Sequence, residues 1–103
     1  MRRRGRFDDV VSRQLDLFER DHGDLIAECE RAERAYDRAG REDAEERYGE
    51  YAELVESGTD ILASLRSTFR STLDEEAGEE YEAAFNRAVA RRLPRFALEI
   101  EDA

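Results

Sequence analysis

The chain has 103 residues, of which 43% are charged and 40% hydrophobic, a size that suits one small domain. Its 27 carboxylates outnumber 17 basic residues, all of them arginine, and the formal net charge is −10. No apolar run approaches the roughly 18 residues that a membrane span needs. The apolar residues recur at regular spacings, which argues against a disordered chain.

The first predicted element is a helix from about residue 7 to residue 39. The spacing keeps its phase through residues 21–24, although that stretch could also indicate a helix end followed by a new start. Gly40 then provides a helix stop. Two interleaved series of positions seven residues apart form the heptad seam that predicts this helix: Val11, Phe18, Leu25, Ala32 and Ala39, and Leu15, His22, Cys29 and Tyr36.

The heptad pattern restarts after Gly40 and predicts a second helix over about 42–73. A shorter third helix is predicted over about 75–92, and Pro94 ends or kinks it. Connections this short make neighbouring helices antiparallel. The predicted fold is therefore all-α, with a long antiparallel helical hairpin (7–39 and 42–73), a third helix and a C-terminal tail that is either extended or helical.

The predicted domain organisation is a basic, flexible N-terminal arm (1–6), a helical bundle domain (7–93) and a C-terminal tail (94–103). The third helix is little more than half as long as the other two and cannot cover the whole hairpin. An exposed apolar stripe of that length exceeds what monomers usually tolerate. We therefore expect a homo-oligomer, most simply a two-fold dimer in which two hairpins complete a four-helix core.

The middle of the hairpin holds the residues that could carry chemistry. The antiparallel register predicts that His22 lies opposite Gly58, which would be simple large-to-small packing. The alternative is a metal site, because Glu19 and His22 have the i, i+3 spacing of di-iron bundle proteins. Glu56 or Asp60 from the second helix could add a carboxylate, and a dimer would double the set. Cys29 lies one heptad after His22 and is expected to be a buried, inert thiol.

Two groups of side chains are candidates for contacts with partners. One is the arginine-rich arm, which leaves −14 for the rest of the chain and could contact nucleic acid or an acidic protein, unless it is a solvated tail. The other is a tyrosine cluster near the first turn, which forms either a partner-binding tip or the end of the core. The residues concerned are Arg2, Arg3, Arg4 and Arg6 in the arm, and Tyr36, Tyr48 and Tyr51 in the cluster.

The sequence lacks a glycine-rich phosphate loop, a zinc-type Cys/His cluster and a Ser, His and acid set. We therefore expect a non-enzymatic, self-associating interaction or scaffold protein without a cofactor. A metal-carboxylate bundle formed across a dimer and an accessory factor that contacts nucleic acid through its arm are the alternatives. The single cysteine and the absence of a signal-peptide core predict a cytoplasmic protein. The acidic excess suits a halophilic host or a GC-rich genome.

Overall fold

The computed structural model describes residues 5–103, and within that range it contains helices and no strand, which confirms the all-α prediction. The third predicted helix is confirmed at its bounds, and Asp74 caps it by accepting a hydrogen bond from the Ala77 backbone N–H at 2.8 Å. The α-helices are α1 (Asp8–Asp21), α2 (Gly23–Arg38), α3 (Ala44–Arg70), α4 (Glu75–Arg92) and α5 (Ala97–Asp102), and a 3₁₀ turn, Pro94–Phe96, precedes α5.

The structure differs from the predicted single helix over 7–39, because the chain leaves helical geometry at His22, where φ is −122° and ψ is 29°. The His22 backbone N–H still donates to the Phe18 carbonyl at 2.9 Å, and the Ile26 N–H donates to the His22 carbonyl at 3.1 Å. No residue is inserted at the break, so the heptad phase continues through it. Spacing alone therefore could not reveal the interruption.

The break gives the two halves of the predicted helix different partners. α2 packs along α3, whereas α1 packs mainly against α4. The Tyr81 hydroxyl donates to Gln14 Oε1 at 2.9 Å, and the Arg92 guanidinium donates to Asp16 Oδ1 at 2.7 Å. α1 and α4 therefore run in the same direction, and only the second half of the predicted first arm lies against α3.

Tyr81 lies at the centre of the core and is fully buried. Its ring centroid is 5.7 Å from that of Phe7, 4.7 Å from that of Phe69 and 6.0 Å from that of Phe85. Burial raises the pKa of the Tyr81 phenol above its usual value, which keeps the group neutral. One ring therefore joins the start of α1, the end of α3 and α4.

Two residues of the predicted C-terminal tail (94–103) are part of the core. Phe96 and Ile100 are fully buried, and Phe96 packs against Gly58 of α3. A Cβ at position 58 would lie 2.4 Å from Phe96 Cε1, so glycine is needed for this close approach. We call this contact surface the Gly58 slot. The prediction that Gly58 makes room for His22 was wrong, since the ring in the slot belongs to Phe96.

Arg66 binds the end of the C-terminal segment through hydrogen bonds. Its side chain is buried in α3, and its guanidinium donates to the carbonyls of Ile100 and Ala103, each at 2.7 Å, and to Asn86 Oδ1 at 2.8 Å. These bonds add to the long backbone hydrogen bond that the Ile100 carbonyl accepts from the Ala103 N–H at 3.4 Å, and they satisfy the Ala103 carbonyl at the end of α5. Within residues 5–103, no helix is both long and apolar enough to cross a membrane.

Gly58→Ala should lower the free energy of unfolding by about 2 kcal/mol, because the added methyl group overlaps the Phe96 ring. Gly49→Ala is the matched control in the same helix. It meets nothing within 4 Å and should raise stability by about 0.5 kcal/mol. Urea unfolding followed by circular dichroism measures both values. Equal effects of the two substitutions would show that Phe96 does not occupy the Gly58 slot.

Candidate functional site

The structure brings the three predicted tyrosines together where α2 meets the start of α3. The ring centroids of Tyr36 and Tyr48 are 5.4 Å apart in an edge-to-face arrangement, and those of Tyr48 and Tyr51 are 6.4 Å apart. Tyr36 is 40% exposed and Tyr48 is 54% exposed, whereas Tyr51 is less exposed and lies partly buried. We call these three residues the tyrosine tip.

The predicted metal ligands are not brought together within one chain. Glu19 accepts a hydrogen bond from the Arg92 guanidinium at 3.0 Å, and the half-buried His22 ring lies 5.4 Å from the Phe18 ring. Asp60 is exposed on the far side of α3 from the cleft that Glu19 lines. Across residues 5–103, no group of three or more His, Cys, Asp and Glu side chains is arranged to hold a metal ion. A site completed by a second copy stays a prediction.

That cleft, between α2 and the turn that follows α4, has a volume of about 770 Å³. Two arginines in its walls are paired with carboxylates of the same chain, since Arg92 bonds to Glu19 and Arg95 bonds to Glu33 at 3.1 Å. The pairing of Arg95 is incomplete, because its buried Nε has no hydrogen-bond partner. A ligand that used the paired nitrogens of these arginines would have to compete with the carboxylates.

Cys29 is fully buried in α2, as the sequence predicts for an inert thiol. Burial raises the pKa of the thiol, and this effect outweighs the opposing influence of Arg95. The thiolate, which is the nucleophilic form, is thus disfavoured. Cys29 contributes packing rather than chemistry.

The arginine-rich arm lies largely outside the described residues, because Arg2, Arg3 and Arg4 precede the range that the structure describes. Arg6 is exposed, and its guanidinium carbon is 5.0 Å from the centroid of the Phe7 ring. Contact of the arm with nucleic acid stays a prediction.

A groove between α1 and α3, which the sequence analysis did not identify, is an open apolar surface on the opposite side from the cleft. Its volume is about 610 Å³, and its walls are mostly neutral. Leu17, one turn beyond Gln14 on α1, is 44% exposed beside it. We define the α1/α3 groove by its lining residues: Gln14, Asp60, Ile61, Ser64, Leu65, Thr68, Phe69 and Thr72.

A signal for the groove was present in the sequence. The segment 61–72 contains no acidic residue. Its two arginines are Arg66, which points into the core, and Arg70, which pairs with Glu82. The surface of this segment is therefore close to neutral, unlike the other acid-free stretch, 83–98, whose four arginines make it basic.

Comparison of the chain with models of protein families, with curated proteins and with solved structures finds no match.

His22→Ala should leave the divalent metal content of the purified protein unchanged, because Arg92 occupies the nearby Glu19 carboxylate. The protein and the variant would be dialysed against Fe²⁺ or Zn²⁺ and then against buffer, and metal would be measured by elemental analysis. Metal that is near-stoichiometric in the parent and absent from the variant would instead establish the predicted site across two copies.

Proposed function

We propose that this protein is a non-enzymatic helical interaction module that assembles as a two-fold dimer through the α1/α3 groove. The observation that carries the proposal is the groove itself, an open apolar surface of about 610 Å³ whose eight lining residues include one charged residue, Asp60. In a chain with 43% charged residues, such a surface is exceptional. Exposed apolar patches that are rimmed by polar residues mark interaction sites.

The charge of the molecule favours a second copy as the occupant of the groove. Two chains of net charge −10 repel one another, and this repulsion is smallest where the facing surfaces carry little charge, as the groove does. A basic partner would bind the acidic faces instead, where it gains electrostatic attraction. In a two-fold arrangement the same neutral surface meets itself, and α1 and α3 of each copy form a four-helix core.

The geometry also supports side-by-side packing of helices at this surface. The groove follows α3 from Asp60 to Phe69, a length of about 14 Å at 1.5 Å per residue, and ends at Thr72 in the turn after α3. The small side chains of Ser64 and Thr68 form a row beside the apolar row of Leu65 and Phe69. Small residues that alternate with apolar ones allow the ridges of a second helix to enter.

The predicted dimer thus keeps its place in the proposal, but on a different face. The sequence argument required a dimer to cover the hairpin, and the C-terminal segment covers α3 at Gly58 instead. The dimer proposed here covers the side of α3 that faces Gln14. The lone thiol of Cys29 and the acidic surface support a reducing, salt-rich cytoplasm as the place where it acts.

Adding charge to the groove should separate the dimer without unfolding the chain. Ser64→Glu with Thr68→Glu places two carboxylates on exposed positions of the groove in each copy, and the dissociation constant should rise by at least tenfold. Ser57→Glu with Ser67→Glu is the matched control, because it adds the same charge to exposed positions of α3 outside the groove lining.

Sedimentation equilibrium measures the dissociation constants of both variants and of the parent protein at about 0.1 M and about 1 M NaCl. Between these two salt concentrations the Debye length falls from about 10 Å to about 3 Å, so the electrostatic repulsion is screened at the higher one. The parent should associate more tightly at high salt, where the repulsion between acidic copies is screened. A parent protein that stays monomeric at both salt concentrations, or a control that dissociates as readily as the groove variant, would refute the proposal.

A further inference from the structure

The exposed rings of the tyrosine tip form a surface that is separate from the groove. Tyr36 and Tyr48 lie edge to face at the end of the molecule where α2 meets α3, and each exposes 40% or more of its surface. The amphipathic rings of tyrosine bury a large area at a small entropy cost, which makes them frequent anchors at interfaces. The question is which chemistry the tip would recognise.

The inner tyrosine of the tip already shows one mode of recognition. The Arg95 guanidinium carbon is 6.0 Å from the centroid of the Tyr51 ring, and Arg95 Nη2 donates to Glu33 Oε1 at 3.1 Å. The cation thus lies over an aromatic face and pairs with a carboxylate at the same time. This combination suits a planar guanidinium better than an ammonium group.

The outer rings offer the same chemistry without a cation from this chain. Over the range 5–103, the structure places no guanidinium above Tyr36 or Tyr48. Glu45 precedes Tyr48 by three residues on α3 and is exposed, so its carboxylate lies on the same side of the helix as the ring. With a net charge of −10, the whole molecule attracts a basic ligand.

We propose that the tyrosine tip binds an arginine-bearing segment of another protein, with guanidinium groups stacked on Tyr36 and Tyr48 and paired with nearby carboxylates. The inference does not rest on the dimer, because the tip and the groove use different residues.

Arg6, the described part of the arginine-rich arm, lies far from the tip. Arg6 lies over Phe7, whose ring packs on Tyr81, and Tyr81 in turn packs on Phe69 near the end of α3. Tyr48 is at the other end of α3, 21 residues from Phe69, which is about 31 Å along the helix. The proposal therefore assigns the guanidinium groups to another protein and not to Arg6.

The experiment is a calorimetric titration of the full chain with an oligoarginine peptide and with an oligolysine peptide of equal length. The oligoarginine peptide should bind at least about threefold more tightly than the oligolysine peptide. Of the two cations, only guanidinium both stacks on an aromatic ring and forms two parallel hydrogen bonds with a carboxylate. Tyr36→Leu with Tyr48→Leu should weaken binding of oligoarginine about tenfold. Tyr36→Phe with Tyr48→Phe keeps the aromatic faces and should bind within about twofold of the parent.

Three results would overturn the inference. If the leucine variant binds oligoarginine as tightly as the parent, the peptide is held by carboxylates alone. If the phenylalanine variant loses as much affinity as the leucine variant, the hydroxyl groups and not the ring faces make the contact. If the leucine variant no longer self-associates, the tip is an interface between copies of this chain.

The variant with Ser64→Glu and Thr68→Glu separates this inference from the proposed dimer. It should bind oligoarginine at least as tightly as the parent while its self-association is lost. Loss of self-association in this variant with peptide binding intact would therefore concern the dimer, and weak peptide binding by a parent protein that still self-associates would concern the tip.

Discussion

The contact between Phe96 and Gly58 is the constraint on which the rest of the structure depends. The Phe96 ring enters α3 where no side chain opposes it, and it also lies edge to face with Phe18 at a centroid distance of 6.0 Å. Phe18 is in the last turn of α1, just before the break at His22. One ring from the C-terminal segment therefore joins α1 to α3 at the point where the first predicted helix is interrupted. Arg66 secures the same segment by binding two of its carbonyls.

The sequence predicted the helical elements better than their partners. Apolar periodicity identified α3 and α4, because a continuous amphipathic helix has a single repeating pattern. The break at His22 was not predicted, because it inserts no residue and leaves the heptad phase intact. The role of Gly58 was assigned to the wrong ring because register arguments pair only the two arms of a hairpin. The distant Phe96 follows a proline, and its position depends on tertiary packing.

For the predicted site residues, too, local spacing determined some positions, and tertiary packing determined the others. The tyrosine tip could be predicted from short-range geometry, because Tyr48 and Tyr51 share a face of α3 and Tyr36 lies across a short turn from them. The predicted metal ligands Glu19 and His22 were linked only by their i, i+3 spacing, and in the structure the Glu19 carboxylate accepts a hydrogen bond from Arg92. The sequence analysis did not identify Arg66 as a buried residue, although its spacing from Leu62 and Phe69 places it on the buried face of α3. The groove depended on where α1 goes after the break, which periodicity does not specify.

Hydrogen exchange followed across a dilution series tests most directly the claim that the C-terminal segment completes each chain and leaves the α1/α3 groove for a second copy. As the protein concentration rises, amide exchange should slow in residues 60–70 of α3 and in the facing part of α1. Exchange in residues 94–102 should stay the same, because that segment is docked within its own chain. Slowing confined to residues 94–102 would contradict the account, since it would mean that the segment is ordered only when a second copy binds.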